Sequence, residues 1–293
     1  MLLMSFMGNR AKNHHIVPKV LQKQFAIPGD QQRIWRVKRD ANGAFQSLEP
    51  KRLAKSFVIK DYYTILENNQ RSDLIERELY GKIDDFLGRL LPDVIGALNR
   101  GVAFKFSKET LDSIREIIRH MITRTPDFLE HDDVGIGKEV VEATLQTLSS
   151  ENSSDQRRQL EAQLRDDVQL QDIGRHIRVT AKLKNSSRVS KALSEYVPRW
   201  SISQSKHSYI LASRMVYRIG NGGSNGLSSP KMEMWMPITP KIALVLVRDP
   251  KNEIPHRVID TPKHIRQVNE YAVKTSFEVA SHSETLLKSL IRQ

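Results

Sequence analysis

Two adjacent histidines before a proline, in His14-His15-Ile16-Val17-Pro18, are the residues of this chain best suited to chemistry. Histidine titrates near neutral pH and its neutral ring binds transition metals. His14 and His15 are therefore the predicted catalytic residues, one as a general base and the other as a metal ligand. The alternatives are a binding role and a structural role, such as hydrogen-bonding the start of the following helix.

The chain contains no cysteine, which excludes disulfides, thiolate zinc sites and a cysteine nucleophile. The candidate cofactor is a divalent metal ion, which would be held by His, Asp or Glu. No spacing in the sequence identifies these ligands. The densest group of such residues is Glu130-His131-Asp132-Asp133. The alternative for this group is to place negative charge at the start of the next helix.

Positive charge favours an anionic partner. The 46 Lys and Arg residues exceed the 34 Asp and Glu residues and give a net charge of +12, which is typical of proteins that bind nucleic acid. The predicted nucleic-acid-binding residues are Arg36, Arg39, Lys51 and Arg52 near the first hairpin, Arg175, Arg178 and Lys182 further along, and Arg214. A basic face that is merely solvated is the alternative.

The elements that position these residues follow from apolar spacing and turn residues. The apolar residues around Pro18 predict a short helix that ends near Pro28-Gly29, so the histidines precede a helix N-terminus. The Asn42-Gly43 pair between two apolar runs predicts a β-hairpin with a primed turn. The first basic stretch then lies on and after this hairpin.

From residue 71 the apolar period becomes that of a long amphipathic helix, which Pro92 is expected to kink or end. A second helix is predicted to begin at an N-cap, Ser107, and to stop before Thr125-Pro126. Further predicted helices cover 137–148, 155–173 and 263–280, and predicted strands cover 209–211, 215–217, 232–236 and 242–247.

These elements predict one α+β domain over residues 1–293. Residues 1–12 are expected to be a flexible start, and residues 71–195 a mainly helical insert between strand-rich ends. The terminal strand segments are expected to share a sheet. The apolar start lacks the basic region of a signal peptide, and no stretch approaches the ~20 apolar residues of a membrane span. A cytoplasmic protein without a membrane partner is therefore expected.

Several motifs, in order along the chain, are similar to those of one bacterial family. They are His14-His15-Ile16-Val17-Pro18, Arg124-Thr125-Pro126, Ile210 to Val216, Met236-Pro237-Ile238-Thr239-Pro240 and Val268-Asn269. Together they span nearly the whole chain, which resembles the family catalogued as domain of unknown function 4238. The resemblance implies a single domain and implies no particular activity.

One segment departs from the pattern that this resemblance implies. The family tends to have Ser-Asp-x-Pro where this chain has Ser213-Arg214-Met215-Val216, so the acid and the proline are both missing. A guanidinium in place of the carboxylate suits phosphate binding better than metal binding. The departure argues against a metal-dependent hydrolase.

The His-His-x-x-Pro segment also resembles the first half of the metal-binding motif in His-Asn-His nucleases, where one histidine activates water beside the scissile phosphate. The second half is missing, because the next histidine is His120. The predicted function is a nucleic-acid-interacting protein, with a nuclease-like effector of a bacterial antiphage defence or toxin system as its sharper form. The alternatives are a non-enzymatic binding or regulatory module with a protein partner, and a small-molecule sensor.

Overall fold

The computed structural model describes residues 13–68, 70–126, 132–147, 154–184, 186–224 and 226–291. The chain divides into two compact units that alternate along the sequence. The first unit comprises Met1–His14, Ile59–Lys82 and Leu129–Lys184, and the second unit comprises His15–Val58, Ile83–Phe128 and Asn185–Gln293. The start that was predicted to be flexible, residues 1–12, lies outside the described residues.

Helices and strands both occur, which confirms the predicted α+β class. The helices are α1 (Lys19–Gln24), α2 (Gly81–Asn99), α3 (Lys108–Arg124), α4 (Asp133–Thr147), α5 (Ser154–Gln163), α6 (Asp167–Leu183), α7 (Ser187–Ser194), α8 (Pro262–Thr275) and α9 (Glu284–Ile291). A 3-10 helix spans Leu53–Lys55, and a π-helical turn, Glu76–Tyr80, precedes α2. Among the helices that the structure describes, none has the length and apolar character needed to cross a membrane.

The strands are short, and most belong to the second unit. They are β1 (Asn13–His15), β2 (Arg33–Lys38), β3 (Glu49–Arg52), β4 (Val58–Lys60), β5 (Ile65–Glu67), β6 (Gln70–Ser72), β7 (Val197–Ile202), β8 (Leu211–Ala212), β9 (Tyr217–Ile219), β10 (Glu233–Thr239), β11 (Ile242–Val247), β12 (Arg257–Ile259) and β13 (Glu278–Ser281). Strand β1 pairs with β4, and β5 pairs with β6. The boundary between the units falls inside both β1 and β4.

The second unit contains two larger sheets. The five-stranded sheet has the order β12-β7-β11-β10-β9, with β12 parallel to β7 and the other pairs antiparallel. The four-stranded sheet has the order β3-β2-β13-β8. In it β13 pairs antiparallel with β2, from Glu278 opposite Lys38 to Ser281 opposite Trp35. The prediction that strands from both ends of the chain share a sheet is confirmed.

Helix α8 contacts β8 and β13 through its apolar face. Ile265 and Val268 belong to the hydrophobic cluster of the second unit. Beside them, the buried Asn269 amide donates to the carbonyl of Ser208 at 2.8 Å and accepts from the N–H of Ile210 at 3.1 Å. A buried amide needs hydrogen-bond partners for both its oxygen and its nitrogen. The two bonds of Asn269 therefore hold α8 against residues 208–210, which lead into β8.

In the first unit, α4 and α6 approach closely at two glycines. A Cβ atom on Gly174 would lie 1.7 Å from the carbonyl oxygen of Asp133, and one on Gly137 would lie 2.1 Å from that of Leu170. Only residues without a Cβ allow the backbones to come this close. The contact places Asp133, at the start of α4, beside α6.

The prediction that Pro92 kinks or ends the long helix is wrong in its second form, because α2 continues through Pro92 to Asn99. A proline inside a helix leaves the carbonyl four residues earlier without its donor. That carbonyl belongs to Gly88, and both Gly88 and Pro92 are exposed. Water can therefore hydrogen-bond the carbonyl, and the helix need not stop.

The predicted hairpin is present as β2 and β3, but its primed two-residue turn is wrong. Gly43 has a φ of +79°, whereas Asn42 is not among the residues with positive φ. The Asp40 carboxylate accepts from the N–H groups of Asn42 and Ala44, both at 2.9 Å. This side-chain bonding stabilises a longer loop, in which only the glycine needs the left-handed region.

Two helix boundaries also differ from the prediction. The segment predicted as one helix over 155–173 is α5 followed by α6, because the Asp166 carboxylate caps a new helix by accepting from Val168 and Gln169 N–H. The last predicted helix, 263–280, ends at Thr275, and Glu278–Ser281 is a strand. The start of α3 is as predicted, since Ser107 caps it through the N–H of Thr110.

Candidate functional site

The imidazole of His14 lies in the first unit and is fully buried. The backbone N–H of Tyr63 donates to His14 Nδ1 at 2.7 Å, and the two rings stack with their centroids 5.5 Å apart. Because Nδ1 accepts this bond, neutral His14 carries its proton on Nε2. In that tautomer Nε2 donates a hydrogen bond and has no lone pair for a metal ion or a substrate proton.

His15 lies in the second unit and is also buried. Its carbonyl oxygen accepts a hydrogen bond from the guanidinium of Arg124, which is 1% exposed. Arg124 Nη1 lies 3.5 Å from Asp84 Oδ1, and Asp84 Oδ2 accepts from the N–H of Lys19 at 3.4 Å. Burial raises the pKa of the Asp84 carboxyl. Arg124 thus fixes the backbone of the His-His segment to α2 and the start of α1.

Three of the predicted nucleic-acid-binding residues lie on one face of α6 in the first unit. Arg175, Arg178 and Lys182 are three and four residues apart on this helix. Residues with these spacings lie above one another on the same side of an α-helix. We call these three residues the α6 cationic face.

The α6 cationic face contacts Tyr62, which no sequence motif marked as functional. The guanidinium carbon of Arg178 lies 4.5 Å from the Tyr62 ring centroid, and Lys182 Nζ donates to the Tyr62 hydroxyl at 3.2 Å. The Tyr62 ring meets Tyr63 edge-on, with the centroids 4.8 Å apart. Ring contacts through Tyr63 and Tyr62 therefore connect His14 with the α6 cationic face.

Two carboxylates neutralise part of the charge on this side of the first unit. Asp133 accepts from Arg178 Nε at 2.7 Å and from its Nη2 at 3.1 Å. Asp172 accepts from Arg175 at 2.9 Å and from Arg71 at 2.7 Å. The hydrogen bond to Asp172 raises the pKa of Arg71, and the charge of a third carboxylate, Asp61, adds to this effect. Three carboxylates thus face three guanidinium groups, and the lysine of the face supplies the remaining positive charge.

The amine of Lys182 is unusual among the cations of the first unit. Burial, with the nearby charge of Arg178, lowers the pKa of Lys182 to about 7. Near neutral pH the amine is therefore charged in about half of the molecules. An anion placed beside it would favour the charged form.

In the second unit, the predicted residues Arg36 and Arg39 are bonded to the protein itself. The Arg36 guanidinium lies 3.0 Å from the carboxylate of Glu49 and 3.5 Å from that of Glu278, which is buried. Burial raises the pKa of Glu278. Arg39 Nε donates to the carbonyl of Ser276 at 3.2 Å. Both side chains connect β2 to the C-terminal part of the chain.

The remaining predicted residues also belong to the second unit. Lys51 lies 3.0 Å from Glu49, and Arg52 is exposed at the end of β3. Arg214 is half-buried between β8 and β9. Burial and the charge of Arg214 lower the pKa of Arg218. The α6 cationic face thus gathers three of the eight predicted residues.

Across the described ranges, no three His, Asp or Glu side chains form a group that could hold a metal ion. Of the cluster considered from the sequence, Glu130 and His131 lie outside the described residues. Asp132 Oδ1 accepts from the N–H of Gly135 at 2.8 Å, which caps α4, and Asp133 pairs with α6. The two described residues of the cluster therefore stabilise the start of α4 and its contact with α6.

Comparison with known proteins identifies a family and no individual relative. The sequence model of one family, described as protein of unknown function (DUF4238), matches residues 13–285. No curated protein and no solved structure matches the chain at a significant level. The match begins at the first residue of β1 and ends in α9, so it includes residues of both units and both histidines. The chain therefore belongs to the DUF4238 family.

Proposed function

We propose that this protein binds a nucleic acid along the α6 cationic face. The observation that carries the proposal is the row of Arg175, Arg178 and Lys182 on one side of one helix, with Arg71 bonded to the same row through Asp172. Guanidinium and ammonium groups are the side chains that bind phosphate most strongly. The net charge of +12 on the whole chain suits such a partner.

The residues of this face divide into two roles. Arg175 and Arg178 are each 7% exposed, so they contribute positive charge from below the surface. They also hold Asp133 and Tyr62 in place. Arg71, with a side chain 35% exposed, and the half-buried Lys182 reach solvent. Asp172, the partner of Arg71, and Lys182 are ten residues apart on α6, which corresponds to about 15 Å along the helix. That length matches about four nucleotides of a strand. The face therefore fits a strand backbone.

The sharper form of the proposal is a nuclease-like effector of a bacterial defence or toxin system that acts in the cytoplasm, where cellular nucleic acid is found. His14 is fully buried, so it would serve such chemistry by positioning Tyr63, whose N–H its Nδ1 accepts, rather than by contact with the substrate. A general base would have to be another group.

The binding test compares two variants that remove the same charge from the first unit. Lys182→Gln is expected to weaken binding of a labelled single-stranded RNA or DNA about fivefold and to reduce the salt dependence by about one phosphate contact. Lys138→Gln, whose amine is 60% exposed on α4, is expected to change affinity less than twofold. Fluorescence anisotropy over a salt series measures both effects. Equal effects of the two variants, or no binding, would overturn the proposal.

The same experiment has a pH readout that separates Lys182 from general charge. Burial lowers the pKa of Lys182 to about 7, and a bound phosphate raises it again, so binding takes up a proton. Affinity of the wild type is therefore expected to fall between pH 7 and pH 8.5, and this fall is expected to disappear in Lys182→Gln. Incubation with Mg²⁺, Mn²⁺ or Zn²⁺, beside His14→Ala and His15→Ala, tests cleavage. Cleavage that survives both substitutions would refute a catalytic role for the pair.

A further inference from the structure

The second unit contains a cavity of about 170 Å³ beside the start of α8. Strands of the five-stranded sheet form its wall, and Trp200, Trp235 and Val258 are among its apolar residues. A dry cavity of about 150 Å³ is known to hold a benzene molecule. The cavity therefore has room for a molecule of one ring.

His264 lines this cavity and is held by a buried carboxylate four residues before it. Asp260 accepts hydrogen bonds from His264 Nδ1 (2.8 Å), the N–H of Thr261 (2.8 Å), the Tyr209 hydroxyl (2.8 Å) and the Ser201 hydroxyl (2.9 Å). Four donors leave Asp260 no capacity for a ligand, so Asp260 is a positioning residue. Its bond to Nδ1 leaves His264 Nε2 as the ring nitrogen available to a ligand, and Nε2 accepts in the neutral ring and donates in the protonated ring.

Two further polar side chains of the cavity are those of Glu233 and Arg199. Glu233 accepts from the indole N–H of Trp235 at 2.8 Å and retains a second carboxylate oxygen. Arg199 is 3% exposed and pairs with Asp249, while its Nε has no hydrogen-bond partner among the described residues. This Nε exposes almost no surface, so a molecule in the cavity does not reach it. Glu233 can thus accept from a ligand N–H, and His264 Nε2 is the second polar atom available to a ligand.

The charge of the lining selects against anions. Asp249 neutralises Arg199, and the remaining charged groups with a fixed sign are the carboxylates of Glu233 and Asp260. An anionic ligand would meet these carboxylates, and a purely apolar ring would leave Glu233 and His264 Nε2 unpaired. An amino group on a ring with its own nitrogen atoms supplies both donors and an acceptor.

We propose that this cavity binds a free, amino-substituted nitrogen heterocycle of one ring, with Glu233 accepting from its amino group and His264 Nε2 hydrogen-bonded to an adjacent ring nitrogen or N–H. The site is separate from the α6 cationic face, which belongs to the first unit. It would give the protein a small-molecule ligand that nucleic-acid binding does not require.

The first test uses three probes of nearly equal size on the full chain: 2-aminopyrimidine, pyrimidine and benzoate. Saturation-transfer NMR and calorimetry are expected to show 2-aminopyrimidine binding about tenfold more tightly than pyrimidine, which is the effect of one hydrogen bond to a charged acceptor. Benzoate is expected not to bind. Equal binding of all three probes, or binding of none, would refute the proposal.

A pair of neighbouring variants locates the site without altering the core. Val258 and Ile259 are adjacent β-branched residues on the edge strand β12, 37% and 44% exposed, and their side chains point to opposite faces. Val258 lines the cavity, so Val258→Phe is expected to reduce 2-aminopyrimidine affinity at least tenfold, whereas Ile259→Phe is expected to leave it unchanged. The imidazole Cε1–H signal of His264 is expected to shift on binding in the wild type and in Ile259→Phe, and not in Val258→Phe. Loss of binding in both variants, or in neither, would place the probe elsewhere.

Discussion

At the scale of single residues, the bond between Asp260 and His264 makes stability depend on pH. This hydrogen bond raises the pKa of His264. A raised folded-state pKa means that the stabilisation is complete below about pH 6.5, the unfolded value, and is lost as pH rises through the folded value. Because the ring is 38% exposed, solvent screening keeps the contribution below about 1 kcal/mol.

His264→Gln is therefore expected to destabilise the protein more at pH 6 than at pH 8, as measured by urea unfolding at both values. His282 provides the matched control, because burial lowers the pKa of His282 and reverses the sign. The change in the free energy of unfolding that His282→Gln causes is expected to be more stabilising at pH 6 than at pH 8. An equal loss of unfolding free energy at the two pH values in His264→Gln would contradict a pH-dependent contribution from the Asp260–His264 bond.

The sequence indicated the cations of the candidate site but not the groups that set their properties. Lys182 and Arg178 stand out in a basic stretch, whereas Tyr62 is 120 residues from Lys182 and Asp133 is 45 residues from Arg178. No local pattern connects such distant residues, so their contacts depend on the tertiary fold. A local signal does mark His264, since Asp260 lies one turn before it at a Thr-Pro helix start.

At the scale of elements, the contact of α4 with α6 depends on Gly174. A Cβ at this position would lie 1.7 Å from the carbonyl oxygen of Asp133, so the helices would have to separate. Gly174→Ala is expected to lower the free energy of unfolding by about 1–3 kcal/mol, in the range of overpacked cores. It is also expected to weaken the pairing of Asp133 with Arg178.

The control is Gly88→Ala in α2, where a Cβ would meet no atom within 4 Å. Alanine is a better helix former than glycine, so this variant is expected to gain about 0.5–1 kcal/mol. The midpoints of urea unfolding of both variants and of the wild type measure these changes in stability. A Gly174→Ala protein as stable as the Gly88→Ala protein would mean that α4 and α6 are not held at this distance.

Helices were more predictable than strands because their signals are local. The period of α3, its cap at Ser107 and its stop at Thr125-Pro126 can be read from a few residues. Strand β13 could not be, because Glu278–Ser281 continues a helix-like apolar pattern and becomes a strand through pairing with β2. The turn after β2 differs from the prediction because the Asp40 side chain, rather than Asn42-Gly43 alone, determines the loop.

At the scale of the whole molecule, the net charge of +12 acts against compactness. Like charges repel over a Debye length that shortens as salt is added. Raising NaCl from 50 to 500 mM at pH 7 is therefore expected to raise Tm by about 2–4 °C, the change that ~1 kcal/mol produces in a chain of this size. Calorimetry measures it, and a repeat at pH 9, closer to the isoelectric point of about 9.8, should show a smaller rise. A Tm that falls with salt at pH 7 would mean that attractive ion pairs outweigh repulsion.

The pairing of β2 with β13 also has a consequence for how the chain is made. Lys38 on β2 pairs with Glu278 on β13, which is synthesised about 240 residues later. Until β13 has been made, the edge of β2 that faces away from β3 has no partner strand. At synthesis rates of about 5–20 residues per second, ribosomes need roughly 10 to 50 seconds to synthesise the length between the two strands. During this interval the nascent hairpin presents an open strand edge that carries Val37 and the indole of Trp35. Synthesis of this protein therefore passes through an aggregation-prone stage, and a chaperone that shields β strand edges would act before the last helix emerges.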